Sequence, residues 1–339
     1  MGLPEDCKVK LRAKFPKGRK NLITDVPGVK VGHVTLKDEK KNIHTGVTAI
    51  LPHGGNLFQE KVTAGSCVIN GFGKSAGLLQ IDELGTVETP ILMTNTLSVG
   101  TALNALSKYM LERNPDIGVS TGTVNCVVTE CNDGELNDIR GFHVKEGHVL
   151  QALDTAGEDF EEGSVGAGAG MCCMGLKGGI GSASRLVSCD GRDYTVGSLV
   201  LSNFGVKGNL RIDGRLIETE EEEKPEKGSV IVVIGTDLPL SDRQLKRAAK
   251  RAVVGLARVG SFLGNGSGDI AIAFSNGNLA PHYSKKDILE TKMLHDDAMD
   301  KVFEAAAEVV EEAVISSLYH GETVKGIRGK VIHGLPEYL

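Results

Sequence analysis

GSVIVVIGTDLPL (residues 228–240) places five β-branched residues, Val230, Ile231, Val232, Val233 and Ile234, in an unbroken run behind a Gly-Ser pair. No polar residue interrupts the run, so it predicts a strand buried on both faces. Just upstream, IETEEEEKPEKG (217–228) is acidic, poor in apolar residues and broken by Pro225, which predicts an exposed linker. Ser229 thus opens a core strand at the point where a polar segment ends.

Downstream, a helix is expected over 241–259. Ser241 and Gln244 form a capping box, Leu245, Ala248, Ala249, Ala252, Val253 and Leu256 recur at helical spacing, and Gly260 follows the end. The loop GNGSGD (264–269) then leads into an apolar strand at 270–274, and a last amphipathic helix is expected over 296–318. Upstream, strands are expected at 29–34, 47–51 and 194–202, a helix at 98–112, and a strand pair around 119–130. Mixed strand and helix patterns of this kind indicate an α/β protein.

The 339 residues are 40% hydrophobic and 24% charged, with a mean hydropathy of -0.07, enough to build a folded core. Tryptophan is absent and 44 glycines are present, so packing rests on aliphatic side chains and close backbone approaches. A net charge of -6 argues against a nucleic-acid partner, and the basic residues Arg243, Lys246, Arg247, Lys250 and Arg251 fit the solvated face of one helix. Neither a signal-peptide core nor a membrane-length apolar run is found, and a cytoplasmic location is expected. The seven cysteines (Cys7, Cys67, Cys126, Cys131, Cys172, Cys173 and Cys189) are odd in number and lack CxxC spacing. Reduced, mostly buried thiols are expected, and with the nine histidines scattered no metal site and no cofactor is predicted.

Two motifs imitate known chemistry and fail on context. Gly166, Gly168 and Gly170 have GxGxG spacing where a dinucleotide site needs GxGxxG. Gly118, Ser120 and Gly122 match a nucleophile elbow, but the following residues are rich in Val and Thr and do not predict the required helix. Ser229 differs in kind. Attack of its hydroxyl on the carbonyl of Gly228 would turn that peptide into an ester, and hydrolysis would free the α-amino group of Ser229. Such an amine, with a pKa of about 7.7–8.0, can take the proton of its own hydroxyl. Local chemistry allows this cut at Gly228 and Ser229, but a Gly-Ser after a charged segment also serves as an ordinary loop end.

The chain resembles, nearly end to end, the self-processing DmpA/BapA aminopeptidases, the family of L-aminopeptidase/D-esterases and β-peptidyl aminopeptidases. The resemblance rests on long ordered blocks, among them NLITDVPGVKVGHVTL (21–36), AGSCVINGFGKSAGL (64–78), ETPILMTNTLSVG (88–100), DGELNDI (133–139), GSVGAGAGMCCMGLKGGIGSASR (163–185), YTVGSLVLSNFG (194–205), GSVIVVIGTDLPL (228–240) and GNGSGDIAIAF (264–274). It implies a four-layer α/β/β/α sandwich, shared with ornithine acetyltransferases, in a single domain 1–339. It also implies autoproteolysis between 228 and 229, giving an α fragment 1–228 and a β fragment 229–339, with Ser229 as the N-terminal nucleophile. By position, Asn203 matches an oxyanion donor, and Ser267 and Asp269 match a serine and a carboxylate near the nucleophile. Some members carry Glu where this chain has the shorter Asp269. Turn or cap roles for Asn203, Ser267 and Asp269 stay open.

Some relatives have an aromatic residue where Asn132 stands here, so substrate preference does not transfer. Glu130 and Asp133 are candidates for binding a substrate's ammonium group, with a solvated loop carboxylate as the alternative. The resemblance implies a metal-free serine aminopeptidase or amidase acting on small peptides, amides or esters, assembled as a homo-oligomer, often a tetramer. Acyl transfer to an amine, as in ornithine acetyltransferases, and a non-catalytic binding protein on the same scaffold are the competing readings.

Overall fold

A computed structural model describes residues 3, 7, 9–219, 226 and 228–339. In chain order, β1 (Lys30–Asp38), β2 (Ile43–Leu51) and β3 (Glu60–Gly71) precede α1 (Leu78–Leu84), β4 (Thr86–Val87), β5 (Ile91–Asn95), α2 (Val99–Arg113), β6 (Val127–Cys131) and α3 (Glu146–Asp154). A short hairpin, β7 (Cys172–Cys173) with β8 (Leu176–Lys177), leads to β9 (Gly179–Cys189) and β10 (Arg192–Asn203). A small pair, β11 (Arg211–Ile212) and β12 (Arg215–Leu216), comes before β13 (Ser229–Thr236), α4 (Asp242–Ala249), α5 (Ala252–Arg258), β14 (Gly268–Pro281) and α6 (Met299–Tyr319).

Two large sheets form among the described residues, in the orders β1-β2-β5-β6 and β4-β3-β14-β13-β10-β9. Side-chain alternation assigns the layers. Ile231 and Val233 of β13 pack with Leu199, Leu201, Ile270 and Ile272 against Val31, Ile50, Ile91, Met93 and Val127 of the other sheet. Val230 and Val232, pointing the other way, meet Leu245, Ala248 and Leu256 of α4 and α5 and Val310 and Val314 of α6. On the far side, Val47, Ala49, Leu92 and Val128 pack on Ala102 and Leu106 of α2 and Val149 and Leu153 of α3. The result is the α/β/β/α sandwich. Each fully buried aliphatic side chain of β13 contributes roughly 1.5–3 kcal/mol of burial free energy.

Glycine permits the closest contacts between layers. The turn at Gly166–Gly170 is wedged beside β2, and a Cβ on Gly170 would lie 2.2 Å from the carbonyl oxygen of His44. The GxGxG spacing therefore serves packing. The fully buried Lys177 ties this region down, its ammonium donating to the carbonyl oxygens of Gly168 (2.9 Å) and Gly178 (2.6 Å).

Three expectations are revised. The helix over 241–259 is two helices: the chain tightens around Arg251, whose N–H donates to Ala248 O. The second helix presses Gly255 onto α6, where a Cβ would come within 2.7 Å of Val310 Cβ. The expected strand pair around 119–130 is one strand beginning at Val127. Residues 119–121 form a turn in which the carbonyl oxygen of Asp116 accepts N–H groups from Val119, Ser120 and Thr121, a local closure that overrides the β-propensity of Val and Thr. The exposed linker expected over 217–228 does not hold at its end: Glu226 is buried, while residues 220–225 and 227 lie outside the described residues.

A buried ion network joins the N-terminal segment to the core. Arg185 of β9 donates to Glu308 (2.8 Å) and Glu312 (2.6 Å) of α6, and Glu312 also accepts from Lys17 (2.7 Å) and Asn21 (2.8 Å). Removing the guanidinium would leave two carboxylates short of a partner in a dry site. Arg185→Ala is expected to cost about 3–5 kcal/mol of stability, measurable by urea unfolding; a loss under 1 kcal/mol would contradict this reading of the network.

Candidate active site

Four strand ends converge on Ser229. It opens β13 opposite Asn203, the last residue of β10, and beside Gly268, the first residue of β14. On the other flank of β14, Asp269 is in register with Asn70 near the end of β3. Strand pairing thus gathers residues 70, 203, 229 and 269 at one end of the inner strands of the six-stranded sheet. Ser229 is buried, about 5% exposed.

The carbonyl oxygen of Gly228 accepts the N–H of Gly268 at 3.1 Å. Position 228 tolerates no side chain, because a Cβ there would lie 2.3 Å from Asn203 O and 2.5 Å from Phe204 Cα. The bond between Gly228 and Ser229 is therefore held against two strand ends. The amide of Asn203 is oriented by its neighbours: Oδ1 accepts the N–H of Cys172 (2.9 Å), and Nδ2 donates to Asn132 O (3.1 Å). Among the described residues the second N–H of Nδ2 has no acceptor and is left for another group.

Ser267 and Asp269 form a buried pair, the Ser267 hydroxyl donating to Asp269 Oδ1 at 2.6 Å. Asn70, which sequence reasoning did not single out, donates through Nδ2 to Asp269 Oδ2 (2.9 Å) and to the carbonyl oxygens of Leu263 (2.9 Å) and Gly264 (3.2 Å). Burial raises the Asp269 carboxyl above its usual range, opposed by the Ser267 and Asn70 hydrogen bonds and the Val230 backbone. The shorter acid therefore has its place filled by local donors.

Cys131, at the end of β6, is a second residue that sequence reasoning passed over. Its thiol lies beside the Ser229 hydroxyl, and burial pushes it well above the usual thiol range, so it stays protonated and is no rival nucleophile.

The two acceptor candidates occupy different surroundings. Glu130 accepts the N–H of Lys74 (2.8 Å) and the hydroxyl of Thr96, close to the Gly73 and Gly268 backbone. Asp133 is fully buried: Oδ1 accepts from Asn137 (3.1 Å), Oδ2 has no hydrogen-bond partner among the described residues, and Gly170 is packed against its Cβ. Burial raises this carboxyl from 3.8 to about 7. No group of three or more His, Cys, Asp or Glu able to hold a metal occurs among the described residues.

Residues 21–332 match the model of peptidase family S58. The chain belongs to peptidase family S58. It is 39% identical to the β-peptidyl aminopeptidase BapA of Sphingosinicella microcystinivorans, covering 94% of this chain and 86% of that one. Among solved structures, this S58 peptidase superposes on the PH0078 protein of Pyrococcus horikoshii OT3 with a TM-score of 0.93, 53% identity, and coverage of 97% of this chain and 95% of the other. It superposes on the L-aminopeptidase D-Ala-esterase/amidase of Ochrobactrum anthropi, described as a variant of the Ntn hydrolase fold, with a TM-score of 0.88, 37% identity and 97% coverage of both chains. The S58 chain is thus an aminopeptidase or amidase of the N-terminal-nucleophile type.

The burial of Asp133 carries a pH signature. Its folded pKa lies above the unfolded one, so the folded chain keeps a proton that the unfolded chain releases between about pH 4 and 7. The resulting stabilisation is complete below pH 4 and is lost as pH rises to about 7, by up to about 4 kcal/mol. Asp133→Asn should remove this loss, so that urea unfolding shows the variant gaining on wild type between pH 5 and 8. Parallel stability curves would contradict a neutral buried Asp133.

Proposed function

We propose that this S58 peptidase cuts itself between Gly228 and Ser229 and then removes N-terminal residues from small peptides, amides or esters through an acyl-enzyme on Ser229. The observation that carries this reading is the carbonyl of Gly228, the residue bonded to Ser229, held by the N–H of Gly268, which pairs with Ser229 across the sheet. In the first step Ser229 Oγ bonds to the Gly228 carbon, the C–N bond breaks, and the hydroxyl proton passes to the departing amine. Water then hydrolyses the ester, leaving a Gly228 carboxylate and a serine with a free amino terminus.

In turnover, that amine takes the Oγ proton as the hydroxyl attacks the substrate carbonyl, and returns a proton to the leaving group. Asn203, with one amide N–H unspent, and the Gly268 backbone N–H are disposed to stabilise the oxyanion. Ser267, its own proton committed to Asp269, keeps lone pairs free to accept from the Ser229 amine. Among the carboxylates, Glu130 is the better partner for a substrate ammonium, because Asp133 is fully buried and its carboxyl is raised to about 7. No metal or organic cofactor takes part in this scheme.

We also infer a cytoplasmic homo-oligomer, of tetrameric order in keeping with the family resemblance. All seven cysteines are free thiols, and exposed Phe72, Leu79, Ile288 and Met293 supply apolar surface that an interface would cover. No helix among the described residues is long and apolar enough to cross a membrane.

Intact mass and denaturing electrophoresis test the first step: wild type should give fragments 1–228 and 229–339, and Ser229→Ala an uncut chain with no turnover. Persistence of the cut or of activity in Ser229→Ala would move the nucleophile elsewhere. On p-nitroanilides bearing L-, D- or β-amino residues, at least one class should be hydrolysed, and a chain inert to all three would argue against an aminopeptidase. With the best of these, Glu130→Gln should raise KM about 30-fold, corresponding to ~2 kcal/mol, with kcat within a few-fold of wild type. A fall in kcat at constant KM would assign Glu130 to the chemical step instead.

A further inference from the structure

Glu226 lies three positions before Ser229, in an acidic stretch whose composition predicts exposure, yet it is only about 6% exposed. Its carboxylate is divided between two loops. Oε1 accepts the N–H of Gly205 at 2.9 Å, and Oε2 accepts the N–H of Gly264 at 2.7 Å. Gly205 closes the turn that follows Asn203, with φ at +88°, and Gly264 opens the loop that carries Ser267 and Asp269. Gly264 leaves room for this contact: a Cβ there would come within 2.7 Å of both Glu226 Cβ and Glu226 Oε2.

The same two loops receive the chain again two residues later. Gly228 is pressed against Asn203 and Phe204, and its carbonyl accepts from Gly268. Asn70 closes the circuit by binding Gly264 O and Asp269 Oδ2 through one side-chain nitrogen. A run of hydrogen bonds thus extends from Glu226 through Gly264 and Asn70 to Asp269. The approach to the reacting bond is pinned at Glu226 and at Gly228, on the loops that bear Asn203 and Asp269. An intramolecular acyl shift gains its rate from the share of time its atoms spend in attack geometry. Among the described residues of the acidic stretch, Glu226 is the contact nearest the reacting bond before Gly228 itself.

We propose that Glu226 is a positioning residue for self-cleavage, a carboxylate clamp that seats the bond between Gly228 and Ser229 on the two loops until it is cut and takes no part in later turnover. The proposal rests on the reading that the chain cuts at this bond. It touches neither the nucleophile nor the substrate, so its loss should slow maturation and spare the mature enzyme.

Full-length chains synthesised in a cell-free pulse-chase, with fragments identified by intact mass, provide the test. Glu226→Ala should lengthen the half-time of conversion to fragments 1–228 and 229–339 at least ten-fold. Glu226→Gln keeps one acceptor oxygen and turns an NH2 toward the other N–H, so it should fall between Glu226→Ala and wild type. Turnover of a p-nitroanilide substrate, normalised to the amount of free Ser229 amino terminus, should stay within two-fold of wild type in both variants. Wild-type processing rates in Glu226→Ala, or turnover per cut molecule falling in step with processing, would overturn the clamp. Should Glu226→Ala fail to fold, the isosteric Glu226→Gln decides, and a wild-type half-time there overturns the proposal. A wild-type chain that stays whole, or is cut elsewhere, overturns the reading of Ser229 itself, and the masses distinguish that result from a failed clamp.

Discussion

Parallel pairing of β13 with β14, while β10 runs antiparallel on the other side of β13, brings the start of two strands and the end of a third together at one end of the sheet's inner strands. Every other feature of the site depends on this register. Slipping β13 by one residue would exchange Ile231 and Val233 with Val230 and Val232 between the inter-sheet core and the helix face. It would also carry Ser229 away from Asn203 and Gly268. Because both faces of β13 are buried, such a slip has no solvent face on which to place a misfit. The burial that stabilises the sandwich therefore also sets the geometry of the nucleophile.

Around that end of the strands the protein spends polar groups in a water-poor setting and satisfies them locally. Asp269 is met by Ser267 and Asn70, Asn203 by Cys172 and Asn132, and Glu226 by two backbone N–H groups. A buried polar group left unpaired is expensive, so each of these contacts holds a side chain in one orientation as well as stabilising it. Asp133 differs: one carboxylate oxygen lacks a hydrogen-bond partner among the described residues, and burial raises the carboxyl to about 7. Cys131 follows the same rule, with burial keeping its thiol neutral beside the serine.

Much was legible along the chain. The β-branched run behind Ser229 announced a doubly buried strand, the capping box at Ser241 and Gln244 marked a true helix start, and the long motif blocks pointed to the family; the roles of Ser229, Asn203, Ser267 and Asp269 belong to the proposed function. Errors arose where local pattern was overruled by packing. Val and Thr near 119–126 promised a strand, but the turn closed on Asp116 O; a continuous apolar stripe promised one helix, but contact with α6 through Gly255 divided it.

By itself, the pattern of residues determined an α/β protein and the strand that carries Ser229, because periodicity is a property of neighbours along the chain; the four-layer scheme came only with the family resemblance. Only the tertiary structure decided what surrounds that serine. Asn70 meets an aspartate 199 residues away, Cys131 comes from the other sheet, and Glu226 turns from an acidic stretch into a buried contact between two loops. None of these partners is marked by spacing, since strand register brings them together across long separations in sequence. The stretch expected to be an exposed linker is fastened at Glu226 for the same reason: its hydrogen-bond donors, the N–H groups of Gly205 and Gly264, come from remote backbone, which composition does not reveal.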